Sequence, residues 1–508
     1  MASARNGTLQ TALVTDHPQQ TTSPTPMPED AVDLLDELGA ELQHIRREPG
    51  RRLVDMIDMI EAADRRGAQL LDELQFTFFL AGDSERESGK QVRIWKAASS
   101  YLVQLVSAHV LLVRLFQTYS RGWAEVGDRL PLLIARALRA TALRMKWMRM
   151  RYQPFDRKVW KTLCQLWSYV EDKGLARARV LVYEDRSTIQ REFTKPLMFA
   201  MSAIDSLPAV EIDIAYRLIS HVAGRFEVQR YPARGCHFFI DIDQWSVPAR
   251  HDPGSAVRLG SRFFGPGEAV ADLETISEQL AEGAISTRDI NLAGFTDVEL
   301  VIDVLAHLGR YWMPTRPERR EQRRRKVSKI AVVLGHAHVL ERIAGNDTSV
   351  IPRLDEGVES WDVTNESEAG YGALVSAQRG ENLHIGQLVG VRPAGSRMWA
   401  VGVIRRLAAQ EPRQRYVGIE LLGRGVQAVS LSERGSGNPD HTGLLLPSHI
   451  GDSMDLGEIN LLLSKGSFSA EVPIDMLVYQ TNYRLTPLMV PEAGVDFEVG
   501  RYRISERD

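Results

Sequence analysis

The hydrophobic period changes partway along the chain, and that change limits the fold more than any other feature of the sequence. Up to residue 313 apolar residues recur at helical spacing: Leu35, Leu38 and Leu42, then Leu53, Ile57 and Ile60, and later Leu102, Leu105, Val106, Leu112, Val113 and Phe116. Steps of three and four put those side chains on one face of a helix. From about Val327 the apolar runs become short and rich in β-branched residues, at 330–334, 361–363, 373–375, 388–391, 399–404 and 416–421, with glycine or polar clusters between them. Such runs read as strands. Stripes of the first kind bury themselves helix on helix, and strands of the second close into a small antiparallel barrel or sandwich.

The expected fold class is therefore multidomain α+β. With 508 residues the chain exceeds one ordinary core. A tail over 1–29 holds eight Ser or Thr and four Pro, too polar to offset the entropy of ordering, and is read as disordered. A mostly helical domain follows over 30–313, an antiparallel β-barrel over 314–435 and a β-rich extension or second barrel over 436–508. Within the helical part, 236–243 reads as a strand and 273–280 as a short helix stopped by Gly283. Thr296-Asp-Val-Glu299 reads as a capping box opening a helix with Val301, Val304, Leu305, Leu308 and Trp312 on its buried face.

Sixty-two Lys and Arg against sixty-six Asp and Glu give a net charge of −4, so an anion site has to be local. Cys164 and Cys236 are too far apart for clustered zinc spacing and read as free thiols in a reducing, cytoplasmic setting. The longest apolar stretch, 101–116, is interrupted by Gln104, His109 and Arg114, which argues against a membrane span. Phosphate loops, dinucleotide fingerprints, nucleophile elbows and His-Glu-x-x-His are all missing, so neither an enzyme nor a cofactor is expected. His336-Ala-His338 reads as an ordinary strand pair without a third metal ligand, and Asp241-Ile-Asp243 as two carboxylates on one strand face without catalytic company.

Two features remain. Residues 316–329 carry eight basic and two acidic side chains at the junction of the helical and β parts. Taken alone, such a run is a solvated linker or a nucleic-acid patch. After the strand at 361–363 stands Asn365-Glu-Ser367-Glu-Ala-Gly370, which taken alone is an Asx-type turn. Together, an Arg-x-x-x-Arg run entering a small barrel and an Asn-x-Ser-x-x-Gly turn after a strand resemble the PilZ domain, the bacterial receptor module for cyclic di-GMP. The resemblance covers 316–430. It implies a barrel that binds cyclic di-GMP through Arg320 and Arg324, with Arg319 and Arg323 as the competing register, and through Asn365, Ser367 and Gly370.

Those residue types suit that ligand. A guanidinium fork bonds bidentately to guanine O6 and N7 or to a phosphate and stacks on a purine. Asn365 and Ser367 offer short directional partners, and Gly370 allows positive φ or close approach. Two departures stand out: about 40 residues separate Arg324 from Asn365, implying an inserted loop around 346–360, and Lys329 stands where an arginine often precedes the first strand.

A second basic segment, 132–158, interleaves Arg136, Arg139, Arg144, Lys146, Arg149 and Arg151 with Met and Trp, and reads as a buried helix whose cations pair with acids. Otherwise it is a surface for an acidic partner. The expected function is a cyclic di-GMP-binding signalling effector: ligand captured on the arginine segment reorients the helical domain toward an unidentified protein partner. Alternatives are a nucleic-acid-binding regulator using both basic segments, and a docking module that has lost the ligand.

Overall fold

A computed structural model of the chain describes residues 28–48, 50–80, 85–118, 126–315, 324–345, 357–380, 382–411, 414–433, 441–447, 457–478 and 481–506. Of the tail expected to be disordered over 1–29, residues 1–27 lie outside them and Pro28 and Glu29 open a helix; most of the basic junction (316–323) lies outside them, as do residues 346–356 of the inserted loop expected around 346–360, whose last two residues, Glu359 and Ser360, belong to a strand. The described residues divide into two compact units: those of 28–204 with 209–315, and those of 324–506 with the short segment 205–208.

The first unit is mostly helical. Its helices are α1 (Pro28–Arg47), α2 (Leu53–Leu80), α3 (Glu85–Thr118), α4 (Leu130–Met150), α5 (Arg157–Asp172), α6 (Ile189–Met201), α7 (Ala209–Val222), α8 (Ala269–Ala281) and α9 (Val298–Trp312). A hairpin of β1 (Arg179–Val182) and β2 (Asp185–Thr188) precedes α6. A four-stranded antiparallel sheet forms in the order β3 (Glu227–Gln229), β6 (Ser261–Gly265), β4 (Phe238–Asp241), β5 (Ala249–Arg250).

The centre of this unit is α4, which packs on α3, α5, α6 and α7. A helix surrounded on so many sides must be apolar nearly all round. It buries Leu133, Ile134, Leu138, Met145 and Trp147, but also Arg136 and Lys146. A buried cation needs a partner. Lys146 Nζ lies 2.8 Å from Asp213 Oδ1, and Arg217 Nε bonds the other oxygen at 2.8 Å. Arg139 forks onto Glu192 at 3.0 and 3.2 Å, and Lys195 bonds the same carboxylate at 2.8 Å. Asp64 accepts from Tyr183, contacts His109 at 3.1 Å and faces Arg136 at 3.5 Å. The segment 132–158 is thus largely a buried helix whose cations meet acids.

The α3 helix departs from the sequence reading. Residues 89–118 are long and apolar enough to cross a bilayer by length and composition, because the helix continues past Gln104, His109 and Arg114. Half of its most apolar window is buried within the protein, and His109 bonds Asp64 there, as in the core helix of a folded domain. At α9 the N-cap is Asp297, accepting from Leu300 N at 3.0 Å, and not Thr296. The C-terminal end of α9 is held by Arg250, whose guanidinium bonds the carbonyls of Tyr311, Met313 and Pro314. Burial pushes the Cys164 thiol up to about 12 and the Cys236 thiol up to about 11, so both are poor nucleophiles.

The second unit contains two closed antiparallel barrels. The first comprises β7 (Arg324–Leu334), β8 (Glu359–Ser367), β9 (Gly370–Ser376), β10 (Leu388–Pro393), β11 (Ala400–Glu411) and β12 (Gln414–Arg424), in the order β7-β8-β9-β12-β11-β10. The second comprises β13 (Gln427–Glu433), β14 (His441–Leu446), β15 (Glu458–Ser464), β16 (Ile474–Val478), β17 (Thr481–Ala493) and β18 (Phe497–Glu506), in the order β13-β14-β15-β18-β17-β16. In both, the first strand pairs with the second and fourth, and the third with the sixth. The β-rich extension is therefore a second barrel with the topology of the first.

One apolar core joins the barrels. Val333, Leu388, Val401 and Val403 of the first meet Leu444, Leu446, Leu462, Phe497 and Val499 of the second. A short helix, α10 (His336–Ala344), adds Val339. His336 and His338 stand on this helix, not on a strand, because Gly335 (φ 86°) turns the chain out of β7 before them. Asp496 of the second barrel caps it, accepting from His336 N at 2.6 Å and, through its other oxygen, from Leu388 N at 3.1 Å.

The buried ion pairs make the helical unit sensitive to charge deletion. Replacing Asp213 by Ala strands Lys146 without its carboxylate partner and is expected to cost about 3–5 kcal/mol in urea unfolding followed by tryptophan fluorescence. The double change Asp213→Leu with Lys146→Met should cost clearly less; equal losses would contradict this reading. Burial alone would raise Glu192, but Lys195 and Arg139 outweigh it and hold the carboxyl down at about 2. An unfolded glutamate titrates near ~4.3, so this contribution is complete above that pH and is lost as pH falls toward 2. Glu192→Gln should flatten the acid limb of the stability curve.

Candidate functional site

The residues singled out by the sequence gather on β7, β8 and β9 of the first barrel, and three strand irregularities decide which way they face. On β8, Trp361 and Val363 are buried in the barrel interior. Strict alternation would turn Asn365 inward as well. Instead the pairing steps from Val363↔Ala373 to Asn365↔Gly372, leaving Thr364 as the extra residue of a bulge. Asn365 thereby joins the outer face, opposite Gly372. Thr364 Oγ1 donates to the Gly372 carbonyl at 3.0 Å and accepts from Asn365 Nδ2 at 3.0 Å, which fixes the amide.

A register shift on β7 between Arg325 and Ser328 brings Arg325 opposite Asn365 and Arg324 opposite Glu366. A third, on β11 between Ile404 and Arg406, brings Arg406 opposite Gly418. Since Gly372 pairs with Gly418, one row crosses five strands as Arg325, Asn365, Gly372, Gly418, Arg406. Two glycines side by side leave the middle of that row without side chains. At a strand spacing of ~4.8 Å the step from β8 to β11 is about 14 Å. The end of Asn365 and the hydroxyl of Tyr416 lie over Gly372, in the space its Cβ would take.

Ser367 pairs with Gly370 across the two-residue turn Glu368–Ala369. Asn365 and Ser367 therefore lie on the strand itself, not on a loop after it. The turn is tied to β12: Leu421 N donates to the Ala369 carbonyl at 2.8 Å, and Arg424 bonds Tyr371 Oη at 3.2 Å and the Glu368 carbonyl at 3.4 Å. Glycine at 370 does not serve the positive φ that the turn could have needed; a Cβ there would overlap the Ile419 carbonyl, so the glycine permits close approach of β12.

Behind the turn, Glu420 lies opposite Gly370 and accepts from Arg405 Nε at 2.7 Å. The two Nη atoms of Arg405 fork onto Glu492 of the second barrel at 3.0 and 2.9 Å. Of the arginines named from sequence, Arg324 is the exposed first residue of β7, while Arg319, Arg320 and Arg323 lie outside the described residues. The sequence reading does not single out Gly372, Tyr416 or Gly418, although Tyr416 and Gly418 lie in the strand read at 416–421 and Gly372 directly precedes the one read at 373–375.

Elsewhere, among the described residues no three His, Cys, Asp or Glu side chains are grouped to hold a metal. Asp241 and Asp243 do not form a strand pair: Asp241 Oδ1 accepts from the backbone amides of Asp243 and Gln244 in a turn. A cavity of about 470 Å³ in the helical unit is bounded by Val113, Arg114, Tyr169, Asp172 and Trp245, residues with no part in the barrel motif.

Two family models match the chain. Residues 24–233 match the N-terminal domain of the cyclic-di-GMP receptor FimW, and residues 355–427 match that receptor's middle PilZ domain. No curated protein matches the sequence. The matched PilZ segment runs from before β8 to the start of β13, inside the stretch 316–430 that resembles that domain, and the second barrel follows it.

The two motif-side glycines should respond differently to an added methyl. Gly370→Ala meets backbone and is expected to lower stability by about 1–3 kcal/mol. Gly372→Ala meets side-chain ends alone, those of Asn365 and Tyr416, and should cost less than Gly370→Ala. Thermal melts of the two variants check this, and equal losses would refute it.

Proposed function

From a chain that carries a PilZ domain behind a FimW-type N-terminal domain, we propose a cyclic di-GMP-binding signalling effector, with a binding and not a catalytic role. The observation that carries the proposal is the outward turn of Asn365 at the Thr364 bulge. It sets an amide, the Ser367 hydroxyl and the start of the arginine strand beside a floor, Gly372 and Gly418, that bears no side chain of its own and over which the ends of Asn365 and Tyr416 reach. A planar base needs that kind of floor, and its polar edge needs short directional partners. Arg324, the first residue of β7, pairs with Glu366 next to that row, and Arg319, Arg320 and Arg323 precede it in sequence.

We infer further that capture at the arginine segment, which joins the two units along the chain, alters what the helical unit presents to a protein partner in the cytoplasm. The energy for such a switch is the difference in ligand affinity between two arrangements. Burial of Arg136 and Lys146 removes two of the cations on which the nucleic-acid alternative drew, and leaves it mainly the junction.

Calorimetric titration with cyclic di-GMP tests the reading. Asn365→Ala, Ser367→Ala and Arg324→Ala should each weaken binding by roughly 5- to 100-fold, the range for one lost polar or bidentate contact. Absence of heat with the parent protein, or indifference to all three changes, would reject it. Limited proteolysis with and without ligand tests the switch: cleavage within 316–323 should slow on binding, and an unchanged rate would speak against it.

A further inference from the structure

The second barrel repeats the strand order of the first, yet uses the matching face differently. In the first barrel the second, third and sixth strands carry Asn365, Gly372 and Gly418. In the second barrel the same strands, β14, β15 and β18, contribute Leu444, Leu462 and Val499 to the core shared with the first barrel. That face is covered by the neighbouring barrel and is apolar, so its work is directed at the first barrel.

The hairpin between β17 and β18 makes the polar part of that contact. Val495 N donates to the Gly386 carbonyl at 3.0 Å, Asp496 holds His336 and Leu388, and Glu492 grips both Nη atoms of Arg405. Arg405 sits at the β11 irregularity, and its Nε passes the contact on to Glu420. Glu420 pairs with Gly370, and its neighbour Leu421 bonds Ala369. The chain of contacts thus runs from Glu492 through Arg405 and Glu420 to the turn that sets Ser367.

We propose that Glu492 is a positioning residue for the ligand site: the second barrel, through the Glu492–Arg405–Glu420 relay, fixes the turn that carries Ser367. Glu492 itself touches no ligand atom. The inference rests on the cyclic di-GMP reading for its effect on affinity, but its effect on the turn is independent of any ligand.

Two measurements on the full chain test it. In calorimetric titrations Glu492→Gln should weaken cyclic di-GMP by roughly 3- to 30-fold, the range for changes that act on a site through other residues. Combined with Ser367→Ala it should lose little beyond Ser367→Ala alone, because both act at one turn, whereas combined with Arg324→Ala the two losses should multiply. Glu492→Asp, which keeps the charge, should fall between the parent and Gln. Asp475→Asn, which breaks the 3.2 Å pair with Arg484 elsewhere in the second barrel, should leave affinity unchanged and controls for loosening of that barrel. In amide hydrogen exchange without ligand, Glu492→Gln should speed exchange across 367–371 and leave β16 unaffected. Unaltered exchange across 367–371 overturns the proposal whatever the ligand result. Parent-like affinity in Glu492→Gln overturns it when the parent binds. A parent protein that binds no cyclic di-GMP while exchange still rises rejects the ligand reading and leaves the relay standing.

Discussion

Closure of the first barrel through its third and sixth strands is the constraint on which the candidate site depends. Pairing β9 with β12 sets Gly372 against Gly418 and Gly370 against Glu420, joining segments nearly fifty residues apart. The Ile419 carbonyl fills the space beside Gly370 and Leu421 N bonds the turn, so the motif hairpin is held from behind by a strand that follows it late in the sequence. Long-range pairing of this sort is bought slowly in folding, since loop entropy is lost before the contacts form. Once formed, it leaves the short polar side chains of β8 little freedom.

The two units solve the problem of internal charge in different ways. In the helical unit cations enter the core on α4 and each meets a carboxylate from another helix: Asp213 from α7, Glu192 from α6, Asp64 from α2. Breaking such pairs is costly because a lone charge remains in a medium of low polarity. In the barrel unit the clusters that join and fill the barrels are apolar, and the bridge from Arg405 to Glu420 and Glu492 stands beside them while still a third exposed. That partial exposure makes the bridge a device for orientation more than for stability.

Much of this was legible without coordinates. Periodicity separates helices from strands because each side chain's direction repeats with a local geometry, and the strands read at 330–334, 361–363, 373–375, 388–391, 399–404 and 416–421 fall within β7 to β12 save for Trp399, which directly precedes β11. The burial of the 132–158 helix followed from the Met and Trp between its cations. Local chemistry misled where two local answers compete: Gly335 turned His336 and His338 from strand to helix, and Asp297 took the cap that Thr296-x-x-Glu299 had offered.

By itself the sequence determined the helical and β halves, the polar motif at 365–370 and the basic run before it. Those depend on residue type and spacing within a few positions. Only the tertiary structure decided that Asn365 faces outward, that Gly370 serves β12, and that the last strands form a barrel of the same topology seated on the first. A bulge is fixed by hydrogen bonds to the partner strand, and a barrel's docking face by which strands happen to close, and neither leaves a local trace in the chain.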